Sequence, residues 1–141
     1  MKLEKYKPEI EFMAWHKKYN KLYKVLHIHL ANVFNTDWVT VEGFDIIEQK
    51  EIHIQIQPKD CVLLPYTNSK DMNNNKLYLF DVVEFSNQYG IIVFNKDMVT
   101  YGYEIQDLVD LDLFGSFNNP NKRLGSIYEL PAIQKQFNIE V

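Results

Sequence analysis

Leu64–Asn95 reads LPYTNSKDMNNNKLYLFDVVEFSNQYGIIVFN, and the fold class turns on how it is interpreted. Two runs rich in β-branched and aromatic residues, YLFDVVEF and GIIVFN, flank a short polar stretch, the pattern of a β-hairpin. In the first run Leu77, Leu79 and Asp81 alternate with Tyr78, Phe80 and Val82. Both faces therefore carry bulk, as in a strand of a barrel or sandwich. Gly90, placed after SNQY, is expected to supply a tight turn. The chain holds only 5 glycines, and asparagine accepts left-handed backbone better than most residues. DMNNNK (Asp71–Lys76) and FNNPNK (Phe117–Lys122) are therefore expected to be turns in which Asn stands where Gly would be usual.

The same period of two extends to both sides. IEFMAWH (Ile10–His16) and KLYKVLHIHL (Lys21–Leu30), separated by KKYN, predict a hairpin. DWVTVEGF (Asp37–Phe44) and EIHIQIQ (Glu51–Gln57) each alternate as strands do, with Ile52, Ile54 and Ile56 on one face and His53 and Gln55 on the other. DCVLLPY continues as an extended apolar segment in which Pro65 marks an edge or an end. MVTYGYEIQDL (Met98–Leu108) predicts a further strand, bulged at Gly102. KRLGSIYE (Lys122–Glu129) predicts a last one. Only PAIQKQF (Pro131–Phe137) reads as a helix, with Pro131 at its first position. The expectation is eight to ten short strands and one short C-terminal helix, a mainly β chain.

The totals bound the rest. At 141 residues and 46% hydrophobic, the chain is one domain or two very small ones, large enough to bury a core without staples. A single cysteine, Cys61, excludes an internal disulfide framework, and its neighbours CVLLPY predict a buried thiol. The first residues lack the apolar core of a signal peptide, and no window reaches the ~18 apolar residues of a membrane span. A cytoplasmic protein is expected, with no membrane partner. The net charge of −4 argues against broad binding to nucleic acid, which rests on cationic contacts to phosphate.

The ordered set EFMAWHKKYNKLYKV, LPYTNSKDMNNNKLYLFDVVEF, GIIVFN and LGSIYELPAI covers nearly the whole chain and resembles the YopX family of phage and prophage proteins. Trp15 and the following HKKYNK match the family's opening hairpin, an aromatic residue before a polar turn. Tyr66, Thr67, Lys70, Asp71 and Asp81 match its central motif, which runs Tyr-Thr-Gly, a polar loop with a Lys-Asp pair, then a strand introduced by Glu-Gly-Asp. Asn68 replaces the first glycine, and Leu79-Phe80 replace Glu-Gly. Gly125, Ile127, Tyr128, Glu129 and Pro131 fit the family's Gly-Asn-Ile-Tyr-Glu-Asn-Pro run, from which Ser126 and Leu130 depart. The resemblance implies a chain of phage or prophage origin acting in a bacterial host cell. It also implies N-terminal β-hairpins (residues 1–59) followed by an SH3-like β-barrel with a short helix (residues 60–141). It carries no catalytic residue with it.

Candidate chemistry is sparse. His27 and His29 lie two apart on one expected strand face, and with His53 and Asp45 or Asp60 they could ligate zinc or iron. The weightier reading places them on polar faces, so no metal and no cofactor is expected. Asp81 is the best-placed acid–base group, but accepting backbone N–H bonds is its more economical role. No phosphate loop, Gly-x-Ser-x-Gly, Cys-x-x-Cys or His-Glu-x-x-His occurs, so a non-enzymatic protein is expected. Tyr66, Tyr78, Tyr89, Tyr101 and Tyr103 are expected on or near loops. With Lys70, Lys76 and Lys96 they could stack on nucleic-acid bases. Against this, Glu104, Asp107, Asp110 and Asp112 form an acidic run suited to a basic surface of a host or phage protein, or to strand addition with a second copy. A protein partner is therefore favoured over nucleic acid. The candidate binding residues are Tyr66, Lys70, Asp71, Tyr78, Tyr89, Asp110 and Asp112. Trp15, Asp81, Gly90, Gly125, Tyr128 and Pro131 are candidate structural positions.

Overall fold

The computed structural model describes residues 2–29, 38–45, 47–85, 88–105, 108–110 and 121–141. Among them lie eleven strands and one short α-helix, so the chain is mainly β as its period-two patterning predicts. The strands are β1 (Phe12–His16), β2 (Lys21–His29), β3 (Trp38–Asp45), β4 (Lys50–Ile56), β5 (Cys61–Lys70), β6 (Lys76–Tyr78), β7 (Asp81–Phe85), β8 (Gln88–Asn95), β9 (Thr100–Ile105), β10 (Leu108–Asp110) and β11 (Lys122–Ser126). The helix α1 spans Pro131–Gln136, with Pro131 in its first turn, where the missing N–H costs nothing. No helix among the described residues is long and apolar enough to cross a membrane.

The chain divides into two compact units. One is Glu11–Leu64; the other joins the residues up to Ile10 to Pro65–Val141, so the division falls inside β5. In the first unit the strands run β4-β3-β2-β1-β5. The β1–β2 and β3–β4 pairs are antiparallel hairpins. Among the described residues its core contains an apolar cluster of Ala14, Tyr23, Val39, Val41, Ile56 and Cys61. Burial pushes the Cys61 thiol up, as for an inert packing residue. Ile52, Ile54 and Ile56 share the covered face of β4 while His53 and Gln55 are exposed. Gly43 sits where a side chain would run into Ile54.

The β2–β3 ladder slips between Val25 and His27, because Val25 faces Val41 whereas His27 faces Thr40. This bulge at Leu26 interrupts the alternation. Ile28, between the two histidines, is exposed.

In the second unit a five-stranded antiparallel sheet runs β10-β9-β8-β7-β11, and β5 pairs with β6. Two apolar clusters fill it. One holds Leu77, Val83, Ile92 and Tyr103. The other holds Val82, Ile91 and Ile127, with Phe80, Tyr89 and Tyr128 packed against them.

Four expectations are corrected here. YLFDVVEF is two strands, not one, because Phe80 takes φ +64° and breaks the run. Gly90 is not a turn residue; it lies inside β8, opposite Val83 and Ile105, and β8 already starts at Gln88. Gly102 carries no bulge, since β8 and β9 pair in unbroken register through it. KRLGSIYE ends as a strand at Ser126 and closes as a 3-10 turn over Ile127–Glu129, after a bulge between Arg123 and Gly125; the φ of +145° at Gly125 favours glycine.

Candidate functional site

The most organised polar site lies in the second unit, at the end of β5, the asparagine loop, and the starts of β7 and β11. Asp81, 1% exposed, opens β7. Its Oδ2 accepts the Tyr78 N–H at 2.8 Å and Arg123 Nε at 2.7 Å, while Oδ1 accepts Arg123 Nη2 at 3.0 Å. This is a two-pronged guanidinium–carboxylate bond, a geometry lysine cannot supply. Burial pushes the Asp81 carboxyl above the usual carboxylate range, and Arg123 and the Tyr78 N–H offset this only in part. At Arg123 burial acts to lower the pKa, but the bonds and charge of Asp81 outweigh it and raise it.

The same arginine reaches Asp71 through its backbone. Arg123 N–H donates to Asp71 Oδ2 at 2.8 Å, and Asn75 Nδ2 donates to that oxygen at 3.2 Å. Asp71 Oδ1 accepts the N–H groups of Asn73 (3.0 Å) and Asn75 (2.8 Å). Burial acts to raise the Asp71 carboxyl, but these four donors outweigh it and hold it below the usual range. The loop DMNNNK is thus wound around a buried carboxylate, with Asn74 at φ +65° as the turn reading expects. Asn121 closes the network: its carbonyl accepts the Met72 N–H at 2.9 Å, and its amide donates to the Tyr103 hydroxyl at 2.7 Å.

Beside this network, Tyr66 and Tyr78 face each other across β5 and β6 with ring centroids 5.6 Å apart. Lys76 Nζ lies 5.1 Å over the Tyr66 ring and 3.3 Å from Glu9 Oε2. Lys70 stands directly opposite Lys76 in the ladder. Asn68, at φ +64°, accepts the Glu9 N–H (2.7 Å) and donates to the Glu9 carbonyl (3.0 Å). Its side-chain amide therefore pairs with the N-terminal segment as a neighbouring strand would. Tyr66, Asn68, Ser69 and Lys70 line an open hollow of about 350 Å³.

Of the candidate binding residues, the structure brings Tyr66, Tyr78 and Lys70 together and ties Asp71 to the interior. Tyr89 is elsewhere, half-buried on β8 against Val82, Ile91 and Ile127. Asp110 ends β10, opposite Tyr103; its side chain, and the whole of Asp112, lie outside the described residues, as does most of the acidic run. The five tyrosines expected on or near loops all sit in strands: Tyr66 in β5, Tyr78 in β6, Tyr89 in β8, Tyr101 and Tyr103 in β9. Two are buried and three half-buried, because each fills a sheet position that needs bulk. Trp15 lies in β1 opposite Leu22, and Tyr128 packs edge-on to Phe80 with centroids 6.3 Å apart.

His27, His29 and His53 are all exposed. His27 faces Thr40, which faces Gln55, whereas His53 faces Glu42. They are two strands apart, roughly 10 Å, and out of line. His29 stacks on Trp38 with centroids 5.1 Å apart. Among the described residues no group of three or more His, Cys, Asp or Glu could hold a metal ion.

Sequence reasoning missed Arg123, Asn68 and Asn121. A signal for the first was present: it is the only arginine in a chain whose other 14 strong cations are lysines, and a lone arginine marks a place where a planar fork is needed.

No known protein-family model matches the chain, and no curated protein matches it. Its fold is similar to that in the crystal structure of protein EF1440 from Enterococcus faecalis, at 13% identity and a TM-score of 0.60, over 90% of this chain and 99% of that one.

Proposed function

We propose that this chain is a non-enzymatic accessory protein of a phage or prophage, similar to the YopX family. It acts in the bacterial cytoplasm by binding a host or phage protein or a second copy of itself. The observation that carries this reading is the placement of the tyrosines. Base stacking needs open aromatic faces, and all five candidate rings are at least half covered within strands. The best-placed acid–base group, Asp81, is equally committed, with both oxygens bonded inside the fold.

Two backbone angles support the family reading. The positions where the YopX motif has glycine and this chain has Asn68 and Phe80 both adopt left-handed backbone, at φ +64°. A glycine-derived geometry retained under other side chains is what a divergent member would keep. The SH3-like reading of the C-terminal half draws support from strand order, because β11 returns beside β7 after the β7-β8-β9-β10 meander.

Nucleic-acid binding is the second reading. It is favoured by one feature, Lys70 directly opposite Lys76 beside the Tyr66–Tyr78 pair. Affinity capture of the tagged protein from bacterial lysate, with and without nuclease, separates the two. A partner protein retained after nuclease supports the first reading. Loss of all captured material on nuclease treatment, with binding to single strands that weakens steeply with salt, would replace it with the second.

A further inference from the structure

Two hairpins in this chain share one turn design. In the first, Lys17–Asn20 join β1 to β2; His16 Nδ1 accepts the N–H groups of Lys18 (3.2 Å) and Tyr19 (3.3 Å), and Asn20 ends the turn at φ +50°. In the second, Lys96–Val99 join β8 to β9; Asn95 Oδ1 accepts the N–H groups of Asp97 (2.8 Å) and Met98 (3.1 Å), and Val99 ends the turn at φ +53°. The design demands a left-handed residue at its last position. Asparagine meets that demand cheaply; a β-branched valine is an outlier there.

The third and fourth positions differ as well. Tyr19, though itself 60% exposed, stacks on His16 with centroids 4.2 Å apart. Met98 and Val99 are 53% and 74% exposed, and Phe94 at the hairpin's base is also exposed. Valine at 99 is therefore unfavourable twice over within this chain, strained in backbone and wet in side chain. Strained backbone of this kind concentrates at binding and switch sites, where it is part of the function.

We infer that the β8–β9 hairpin tip is a docking element whose Met98 and Val99 enter an apolar recess on a partner protein. This inference rests on the reading of the chain as a protein-binding module and names the surface used. Charge selects the class of partner. The tip carries one cation and one anion, Lys96 and Asp97, on a chain of net charge −4, so it offers no cationic rim for phosphate or anionic lipid. A neutral apolar knob held rigid by the Asn95 bonds suits a preformed protein pocket, because little freedom remains to be lost on binding.

The test places a photo-crosslinking amino acid, p-benzoylphenylalanine, at Lys96 of the full chain in bacterial cells, and at exposed Lys135 as the comparison site. The expected result is a discrete protein adduct from position 96 and none from 135. Adding Val99→Asn should reduce that adduct at least tenfold, the scale of losing one buried aliphatic side chain. The same substitution should raise the melting temperature of the purified protein by about 2–4 °C, a gain that a purely structural role for Val99 would not produce. An adduct that survives Val99→Asn overturns the inference. So do adducts from 135 alone, which would leave protein binding intact but move it elsewhere. Lipid adducts, or an adduct of twice the chain's mass, would make a membrane or a second copy the occupant in place of a partner protein. No adduct from either site, together with nothing retained in nuclease-treated capture, would remove the protein-binding reading itself.

Discussion

The two compact units are stabilised by different means. The Glu11–Leu64 unit is held by apolar alternation: its described interior centres on an apolar cluster, and its two hairpins follow from period-two runs around short polar turns. The unit completed by Pro65–Val141 also has apolar clusters, but its loops are organised by buried carboxylates. Asp71 and Asp81 are joined through Arg123, which lies 52 and 42 residues further along the chain. The difference teaches where each kind of architecture is vulnerable. Apolar packing degrades gradually with lost volume. A buried ion pair fails abruptly when one member is removed, because the other is left charged and unsolvated.

The largest effect is expected from Arg123→Ala, which should cost about 3–5 kcal/mol in urea unfolding. The double variant Asp81→Leu with Arg123→Met should recover much of that loss. Equal losses in both would mean the pair contributes net attraction rather than a mutual obligation, and would weaken the contrast between the units. Next, Ile56→Ala in the first unit should cost about 2–5 kcal/mol. Hydrogen exchange sharpens the comparison: Ile56→Ala should speed exchange within residues 11–64, and Arg123→Ala within 65–85 and 121–130. Acceleration across the whole chain by either substitution would show one cooperative fold.

A smaller effect is expected at Asp71. Its carboxyl is depressed in the folded state, so its contribution is present above the unfolded value of about 4 and is lost as pH falls through the folded value. Asp81, raised by burial, acts in the opposite sense: what it contributes is present at low pH and is lost as pH rises through its folded value. Asp71→Asn should therefore cost about 1–3 kcal/mol at neutral pH and flatten the acid limb of stability against pH. An unchanged acid limb would place the acid sensitivity in other carboxylates. The smallest effect is local. Asn68→Ala removes both bonds to Glu9 and puts alanine at φ +64°, costing about 1–2 kcal/mol. Trypsin should then cut faster at Lys5, and an unaltered cleavage rate would mean the N-terminal segment is held by other contacts.

Much of this was legible in the residues. The KKYN hairpin, the isoleucine face of β4, the buried Cys61, the Pro131 helix start and the asparagine turn at Asn74 all rest on local preferences, which act over two to four residues and leave a pattern along the chain. The misreadings share a cause. A bulge at Leu26, a left-handed Phe80 and the strand position of Gly90 depend on which residue stands opposite, and nothing in the local sequence records the register.

What the sequence by itself determined was the β class, the impossibility of an internal disulfide and the kinds of residue available for a site. Hydrophobic periodicity and composition are properties of the chain alone. What only the tertiary structure decided was which of those residues meet. Asp81 was visible as an acid in an apolar run, but its partner is 42 residues away. The tyrosines were visible as candidates for open loops, but pairing put them into strands. Long-range register turns a list of residue types into a site, because hydrogen bonds and ion pairs act over about 3–4 Å between groups that the chain itself leaves far apart.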